Sequence, residues 1–434
     1  MRLRDVLRRS ALVAVAFAGG ACAAGFASAT SRGESPYALF GQLARVLVLV
    51  ENEYVDPVDR SRLLDGAVRG MVAELDPHSS YMTPDEYRAF RSDTEGHFGG
   101  IGVEVDLRDG VITVVAPIEG APAARAGILP GDRVVSVEGV GMMGEALDKL
   151  VVKLRGAPGT HVHLGVRRAG VDRTLRFELV REEVRVASVA AKRLDGDVAY
   201  VRIKQFQRGT HDELLAQLAE VRAAARPALA GVVLDLRTNP GGLVDEAAAV
   251  ADEVLEGGTI YSTRRRGQVV DEVVAHRGGA LAGLPAVVLV DAYSASAAEL
   301  VAGALQDARR ATVVGGATFG KGSVQTIVEL PGGAGMRLTT MRYYTPAGRS
   351  LQAEGVKPDV PVASAAAGEP DPVVRERDLD HHLQSEAASE VDSPRAPAPA
   401  RVAPVREIPA NPVGGNDAVL ERGYTLVRAA VAPR

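Results

Sequence analysis

Apolar residues change their spacing along the chain, and each change marks a different kind of structure. Between Tyr37 and Leu75 they recur at helical intervals, first Leu39, Leu43, Val46 and Val50, then Leu64, Val68, Met71 and Leu75, which predicts a small helical region. The stretch Leu75-Asp76-Pro77-His78-Ser79-Ser80-Tyr81-Met82 breaks that pattern with proline and small polar residues, as a turn does. From about 97 to 180, short β-branched runs at 111–115 and 134–137 alternate with glycine and proline turns, which predicts a compact, mainly β module. From about 186 onward, apolar strands at 198–203, 232–236 and 286–290 alternate with helical patterns at 212–225, 244–255 and 297–308, the signature of an α/β domain.

Beyond Val362 the chain turns to alanine, proline, glutamate and arginine, with few bulky apolar residues up to Asn416, and a mobile tail is expected. Helical spacing returns over 417–430 through Val419, Leu420, Tyr424 and Val427, which predicts a helix that docks back on the body. The expected fold class is therefore multidomain α+β. Its segments are 1–29, 35–96 (helical), 97–181 (β-rich), 182–363 (α/β), 364–416 (disordered linker or tail) and 417–434 (C-terminal helix).

The first segment stands apart in charge. Arg2, Arg4, Arg8 and Arg9 precede an apolar run that ends in Ala27-Ser28-Ala29, the layout of a signal peptide with an A-x-A cleavage site. An uncleaved anchor is the alternative, but the run is short and interrupted by glycine for a span that needs roughly 20 strongly apolar residues. Export to a periplasmic or cell-envelope location is expected. The only cysteine, Cys22, lies in this segment, so a cleaved chain has neither a disulfide nor a thiol nucleophile. A lipid anchor on Cys22 would follow Gly19-Gly20-Ala21, which lacks the usual bulky aliphatic residue. The 434 residues, 46% hydrophobic, suffice for two or three folded units. A net charge of −5 and a single basic run outside the N-terminus, Arg264-Arg265-Arg266, point away from nucleic acid as a partner.

Candidate chemistry concentrates in the α/β region. The strand Val287-Val288-Leu289-Val290 runs through Asp291-Ala292-Tyr293-Ser294-Ala295-Ser296 into a helix, so the serines sit at a strand-to-helix turn. A hydroxyl there is exposed, its small neighbours admit substrate, and N–H groups at the helix start can stabilise an oxyanion. The same Ser296-Ala297-Ala298-Glu299 run also reads as an S-x-x-E capping box.

A nucleophilic serine needs a base, and no histidine stands in a triad context: His381 and His382 fall in the expected tail, and His161 and His163 alternate along an expected β strand. A lysine can serve instead. Lys321 is set between glycines in Thr318-Phe319-Gly320-Lys321-Gly322-Ser323-Val324-Gln325, where burial would lower its pKa toward the working range. Gln325, four residues on and on the same face of a strand, can orient the amine without adding charge. Gly315, Gly320 and Lys321 also satisfy G-x-x-x-x-G-K, but Gly322 stands where a phosphate loop needs Ser or Thr, and 323–330 alternates like a strand. Asn239-Pro240-Gly241-Gly242, at the end of another strand, suits an oxyanion donor or an ordinary tight turn.

Over nearly all of residues 36–363 the chain resembles the carboxyl-terminal processing peptidases, or tail-specific proteases, of serine peptidase family S41. The resemblance rests on several motifs in order: Leu75-Asp76-Pro77-His78-Ser79, Gly99-Gly100-Ile101-Gly102, Leu129-Pro130-Gly131-Asp132, Asp235-Leu236-Arg237-Thr238-Asn239-Pro240-Gly241-Gly242, Ser294-Ala295-Ser296-Ala297-Ala298-Glu299, Phe319-Gly320-Lys321-Gly322 and Val356-Lys357-Pro358-Asp359-Val360. It implies a ClpP/crotonase-like α/β serine protease core with Ser296 as nucleophile, Lys321 as general base and Gln325 as the residue that orients it. Oxyanion donors are implied at the N–H groups of Ala297 and Gly242.

The β module resembles a PDZ domain, whose carboxylate-binding loop corresponds to Gly100, Ile101, Gly102 and Val103, with 145–154 as the groove's other wall. Arg155 is expected to couple the substrate-bound module to the core. The implied activity is that of a serine endopeptidase needing no metal or cofactor, acting on proteins with exposed apolar C-termini. An adaptor protein and a homo-oligomer are left open. The competing reading is a catalytically silent PDZ scaffold, whose mark would be loss of Ser296, Lys321 or Gln325; all three are present. A trypsin-like PDZ protease would need a serine in a G-N-S-G-G segment, which this chain lacks.

Overall fold

The structure, a computed structural model, describes residues 36–362, 374–386 and 408–431, apart from residues 96, 109, 143, 145, 146, 226 and 227. The expected signal segment, with Cys22, lies outside the described residues. The chain divides into two units, the first ending at Gly70 and the second running from Met71. In the first, the helix Pro36–Glu53 is joined to the start of the helix Arg60–Ala73 by an ion pair in which Arg60 Nη2 lies 2.8 Å from Glu51 Oε2. Of the stretch expected to be helical, Pro36–Glu53, Arg60–Ala73 and Pro84–Thr94 are helices, while Ser80–Met82 forms a strand antiparallel to Gly335–Tyr344, with Tyr81 opposite Met336. Three residues are too few for a readable period, and these pair with a strand far along the chain.

The β module is a sheet in which Val103–Arg108, Val111–Pro117, Arg133–Val137, His161–Arg167 and Leu175–Val180 are neighbours in that order. Its core is built from Ile101, Ile112, Val134, Leu150, Val162 and Leu164 among others. The entering strand His97–Gly100 pairs with the leaving strand Glu182–Arg185, which closes the module at its neck. Asp132 is fully buried, and both of its oxygens are taken by Arg168 at 2.7 Å while Oδ2 also accepts from Leu129 N–H. The Leu129-Pro130-Gly131-Asp132 motif is thus a structural clamp. His161 and His163 do alternate outward on their strand, facing Glu178 and Glu138.

The α/β core is a six-stranded sheet in the order Val189–Leu194, Val198–Ile203, Gly231–Asp235, Ala286–Val290, Thr312–Gly315 and Val360–Pro361. From the second strand on the pairing is parallel. Strands buried on both faces read as unbroken apolar runs, and Val287, Val288, Leu289 and Val290 are all buried. The helices Thr210–Ala224, Val244–Asp252 and Ala297–Asp307 contribute to one core cluster, through Leu214, Val250 and Val301 for example. The helix Ala418–Val431 covers the other face through Val419, Leu420, Tyr424 and Val427, as its spacing predicts. Buried Arg237 locks it there, bonding both oxygens of Asp235 and both of Asp417, while Asp417 Oδ1 also accepts from Leu420 N–H.

One expectation fails. The linker expected over 364–416 contains a segment, 374–386, that packs onto the core with Glu376 fully buried. Its anchors are polar: Glu376 N–H donates to Phe319 O (3.2 Å), Gln352 Nε2 to Leu383 O (3.1 Å) and Tyr344 OH to Glu386 Oε2 (2.6 Å). Composition signals burial only when it is apolar, so this docking left no trace in the hydropathy pattern.

Candidate active site

Gly231–Asp235, Ala286–Val290 and Thr312–Gly315 are adjacent and parallel, with Val233 opposite Val287 and Val288 opposite Val313. Their carboxyl ends therefore open at one edge, which is where open α/β sheets place their sites. Those ends carry the Asn239-Pro240-Gly241-Gly242 turn, the Ser294–Ser296 segment and the loop that leads to Lys321. Backbone bonds interlock the three: Ala295 N–H donates to Asn239 O at 2.9 Å, and Phe319 N–H to Ser294 O at 3.0 Å.

The two serines have different jobs. Ser294 is completely buried; its hydroxyl donates to Leu236 O (2.8 Å) and accepts from Asp291 N–H (3.0 Å), which stitches the turn to the neighbouring strand. Ser296 is half-buried and sits at φ +54°, ψ −117° immediately before the helix Ala297–Asp307. An ordinary N-cap adopts the β region. A serine at positive φ is held there by its surroundings, as in a strand–nucleophile–helix elbow.

Glu299 is the residue whose importance sequence reasoning missed. Its Oε2 accepts from Ser296 N–H at 2.7 Å, the capping contact, but also from Lys321 N–H at 2.9 Å. Its Oε1 accepts from Thr318 Oγ1 at 2.5 Å and Gly320 N–H at 2.6 Å. One fully buried carboxylate thus holds the backbone of both Ser296 and Lys321. Burial pushes it up to about 7, against these donors, which favour the ionised form. The S-x-x-E spacing was the only signal, and it gave no hint of the distant partners.

Lys321 is half-buried, and its pKa falls to about 8, chiefly by loss of solvent and secondly by the positive charge of Arg337; Glu376, Glu299 and Asp76 pull the other way. Ser323–Glu329 is a strand, so the phosphate-loop alternative fails for want of a helix. Gln325 Nε2 donates to Ser323 Oγ (3.0 Å) and Thr339 Oγ1 (3.2 Å), so its donor end is committed and its amide oxygen is the end suited to an amine. Thr339 Oγ1 in turn donates to Asp76 Oδ1 (3.0 Å), which also receives the N–H groups of His78 and Ser79. The Asp76–Ser79 turn therefore buttresses the strand pair that carries Gln325.

At the third loop, Gly241 and Gly242 lie at φ +99° and +133°. A Cβ on Gly241 would stand 2.9 Å from Ser296 Cβ and 3.0 Å from Ala297 N, so glycine lets this turn abut Ser296. Phe206 bridges the turn through Gly241 O (2.9 Å) and Leu243 N–H (2.7 Å), a pairing that does not use the Gly242 N–H. Ala297 opens the helix that follows Ser296, where the first N–H groups have no intrahelical partner.

In the β module, Ile101 O accepts from Ala123 N–H and Gly102 O from Ile118 N–H, both at 2.9 Å. Among the described residues neither the Ile101 nor the Gly102 N–H donates to a backbone carbonyl. Gly100 ends the neck strand and Val103 begins the next. Gly102 lies at φ +70°, and a Cβ there would stand 2.2 Å from Ala121 Cβ. Of the stretch expected to form the groove's other wall, Leu147–Leu154 is a helix; residues 145 and 146 lie outside the described residues. Arg155 follows it, half-buried, with its N–H on Val151 O, and the next N–H, of Gly156, reaches Gly99 O at 3.0 Å.

Family models match three stretches: peptidase family S41 over 197–362, a PDZ domain over 113–168, and the N-terminal domain of the activating protease CtpB over 23–86. A carboxy-terminal-processing protease of Bartonella bacilliformis is 42% identical over 335 residues, covering 77% of each chain. A probable CtpA-like serine protease of Staphylococcus haemolyticus is 35% identical, covering 73% of this chain and 63% of its own length. Among solved structures, a photosystem II D1 C-terminal processing protease matches at 31% identity and a TM-score of 0.47, covering 74% of this chain and 86% of its own.

Proposed function

Since the chain belongs to peptidase family S41 and is a C-terminal processing serine protease with a PDZ domain, we propose that it works through a Ser296–Lys321 dyad on proteins whose free C-termini the PDZ loop captures. The observation that carries this reading is the Glu299 carboxylate bonded to the backbone of both residues, beside a lysine whose pKa lies at about 8. Neutral Lys321 takes the Ser296 proton as Oγ attacks the scissile carbonyl; the N–H groups of Ala297 and Gly242 receive the oxyanion. The protonated lysine then gives its proton to the leaving amine, and water hydrolyses the acyl-enzyme with Lys321 again as base. Gln325, its donor end committed to Ser323 and Thr339, offers its oxygen to hold the amine in line.

In the PDZ module the N–H groups at Ile101 and Gly102 suit a terminal carboxylate, and the substrate adds as a strand beside Val103–Arg108. Arg155, between the facing helix and the neck, is the proposed coupling residue. Export to the cell envelope is proposed from the N-terminal segment, with exported proteins bearing exposed apolar C-termini as substrates.

The test is cleavage of an unfolded reporter ending in two alanines, with its C-terminus free or amidated, by the full chain and by Ser296→Ala. Cutting by the serine enzyme alone, slowed by amidation, is expected. Cutting by Ser296→Ala would overturn the nucleophile, and indifference to amidation would overturn the carboxylate-reading loop.

A further inference from the structure

Glu376 lies beyond the stretch matched to the protease core, which ends at residue 362, yet its side chain is entirely out of water. A buried carboxylate is tolerated only where hydrogen bonds replace its lost hydration. Here Oε2 lies 2.7 Å from His78 Nε2, and Oε1 accepts from Gln352 Nε2 at 2.8 Å. Gln352 passes the contact on, its Oε1 accepting from Gly322 N–H at 3.0 Å. On the other side of Lys321, the Glu376 N–H donates to Phe319 O. Glu376 therefore holds both flanks of the loop that presents Lys321.

The same carboxylate reaches a second wall. His78 belongs to the turn in which Asp76 accepts from Ser79 Oγ (2.7 Å) and from Thr339 Oγ1, the hydroxyl that receives Gln325 Nε2. Arg337 Nε fixes that turn from the strand side by donating to His78 O at 2.8 Å. The Lys321 loop and the turn that braces the Gln325 strand are thus tied together through one side chain from beyond the matched stretch.

We infer that Glu376 is a positioning residue of the catalytic site, supplied by the segment 374–386, which clamps the Lys321 loop against the Asp76–Ser79 turn. This rests on the reading of Lys321 as the base. The charged groups acting on Lys321 are Glu376, Glu299 and Asp76, which favour its protonated form, and Arg337, which opposes it. Glu376 itself faces His78, with Arg375, Arg377 and Asp378 beside it on its own segment. Taking away its charge while keeping its shape removes one of the three influences that keep the lysine protonated, and loosens the clamp.

The experiment compares the full chain with Glu376→Gln, Glu376→Asp, Lys321→Ala and the exposed-site control Asp380→Asn, reading kcat and KM on the reporter and the rate of Ser296 labelling by a fluorophosphonate across pH. Glu376→Gln is expected to lower kcat and the labelling rate on the order of 10- to 100-fold, the usual effect of misplacing a catalytic group by about 1 Å. KM should stay near wild type, and the acid limb of the profile should move to lower pH. Glu376→Asp keeps the charge and withdraws it by one methylene; it should lower kcat and leave the limb in place, and it carries the test if the glutamine variant does not fold. A wild-type profile in both variants, or a lower kcat in Glu376→Gln with an unmoved limb, overturns the inference. An active Lys321→Ala would instead refute the dyad, a separate failure.

Discussion

Lys321 should make the protein more active as it loses its proton and less stable while it keeps it. Its pKa lies near 8 against an ordinary 10.5. A difference of roughly 2.5 units corresponds to about 3 kcal/mol against the charged form in the folded state, at 1.36 kcal/mol per unit. The unfolded chain binds this proton more tightly, so stability rises with pH between about 8 and 10.5, and below 8 the full penalty stands. Lys321→Met keeps the apolar stem and discards the charge. It should abolish cleavage yet raise the unfolding free energy at pH 7 by up to about 3 kcal/mol, a gain that fades as the pH approaches the lysine's ordinary value. The wild-type kcat/KM should climb about tenfold per pH unit below a plateau that begins near 8. Denaturant unfolding of both proteins across pH, alongside the rate profile, measures both effects. A limb at pH 10 or above, or a stability difference that does not vary with pH, would refute the account.

Two further substitutions probe the scaffold. Gly241→Ala places a Cβ 2.9 Å from Ser296 Cβ at φ +99°; cleavage should fall on the order of 100-fold, since about 1 Å of misplacement suffices for that, while peptide binding to the PDZ domain is unchanged by calorimetry. Asp132→Ala leaves the partly exposed Arg168 and the Leu129 N–H without their acceptor and should destabilise the PDZ domain by roughly 1 to 3 kcal/mol, seen as an earlier unfolding step by differential scanning calorimetry, with the core transition in place.

The proposed site was legible where chemistry is local. Ser296 and Lys321 announce themselves by small neighbours and flanking glycines, because close approach of backbone and substrate restricts the residues on either side. Glu299 was legible only as a cap, because the partners that give it its wider role, Thr318, Gly320 and Lys321, come from a loop beyond the next strand. Gln325 could be placed on Lys321's face by a period of two, but that period says nothing of Ser323 and Thr339, which take its amide nitrogen. Glu376 was illegible for a different reason. Periodicity detects apolar faces, and this residue is buried by His78, Gln352 and a backbone carbonyl in a stretch that otherwise reads as solvent-loving.

The Glu299 hub also bears on when the protein becomes an enzyme. Its donors come from the start of one helix and from a loop that follows the next strand of the sheet, so none of its longer-range bonds can form until Thr312–Gly315 has taken its place beside Ala286–Val290. Pairing of parallel strands through crossover helices is slow and late compared with the formation of single helices. A chain that has its helices but not its sheet holds both Ser296 and Lys321, far apart and without the strained turn that presents the serine. With Ser296 and Lys321 as the proposed dyad, proteolytic competence is a property of the finished fold, set by the same bonds that complete the sheet.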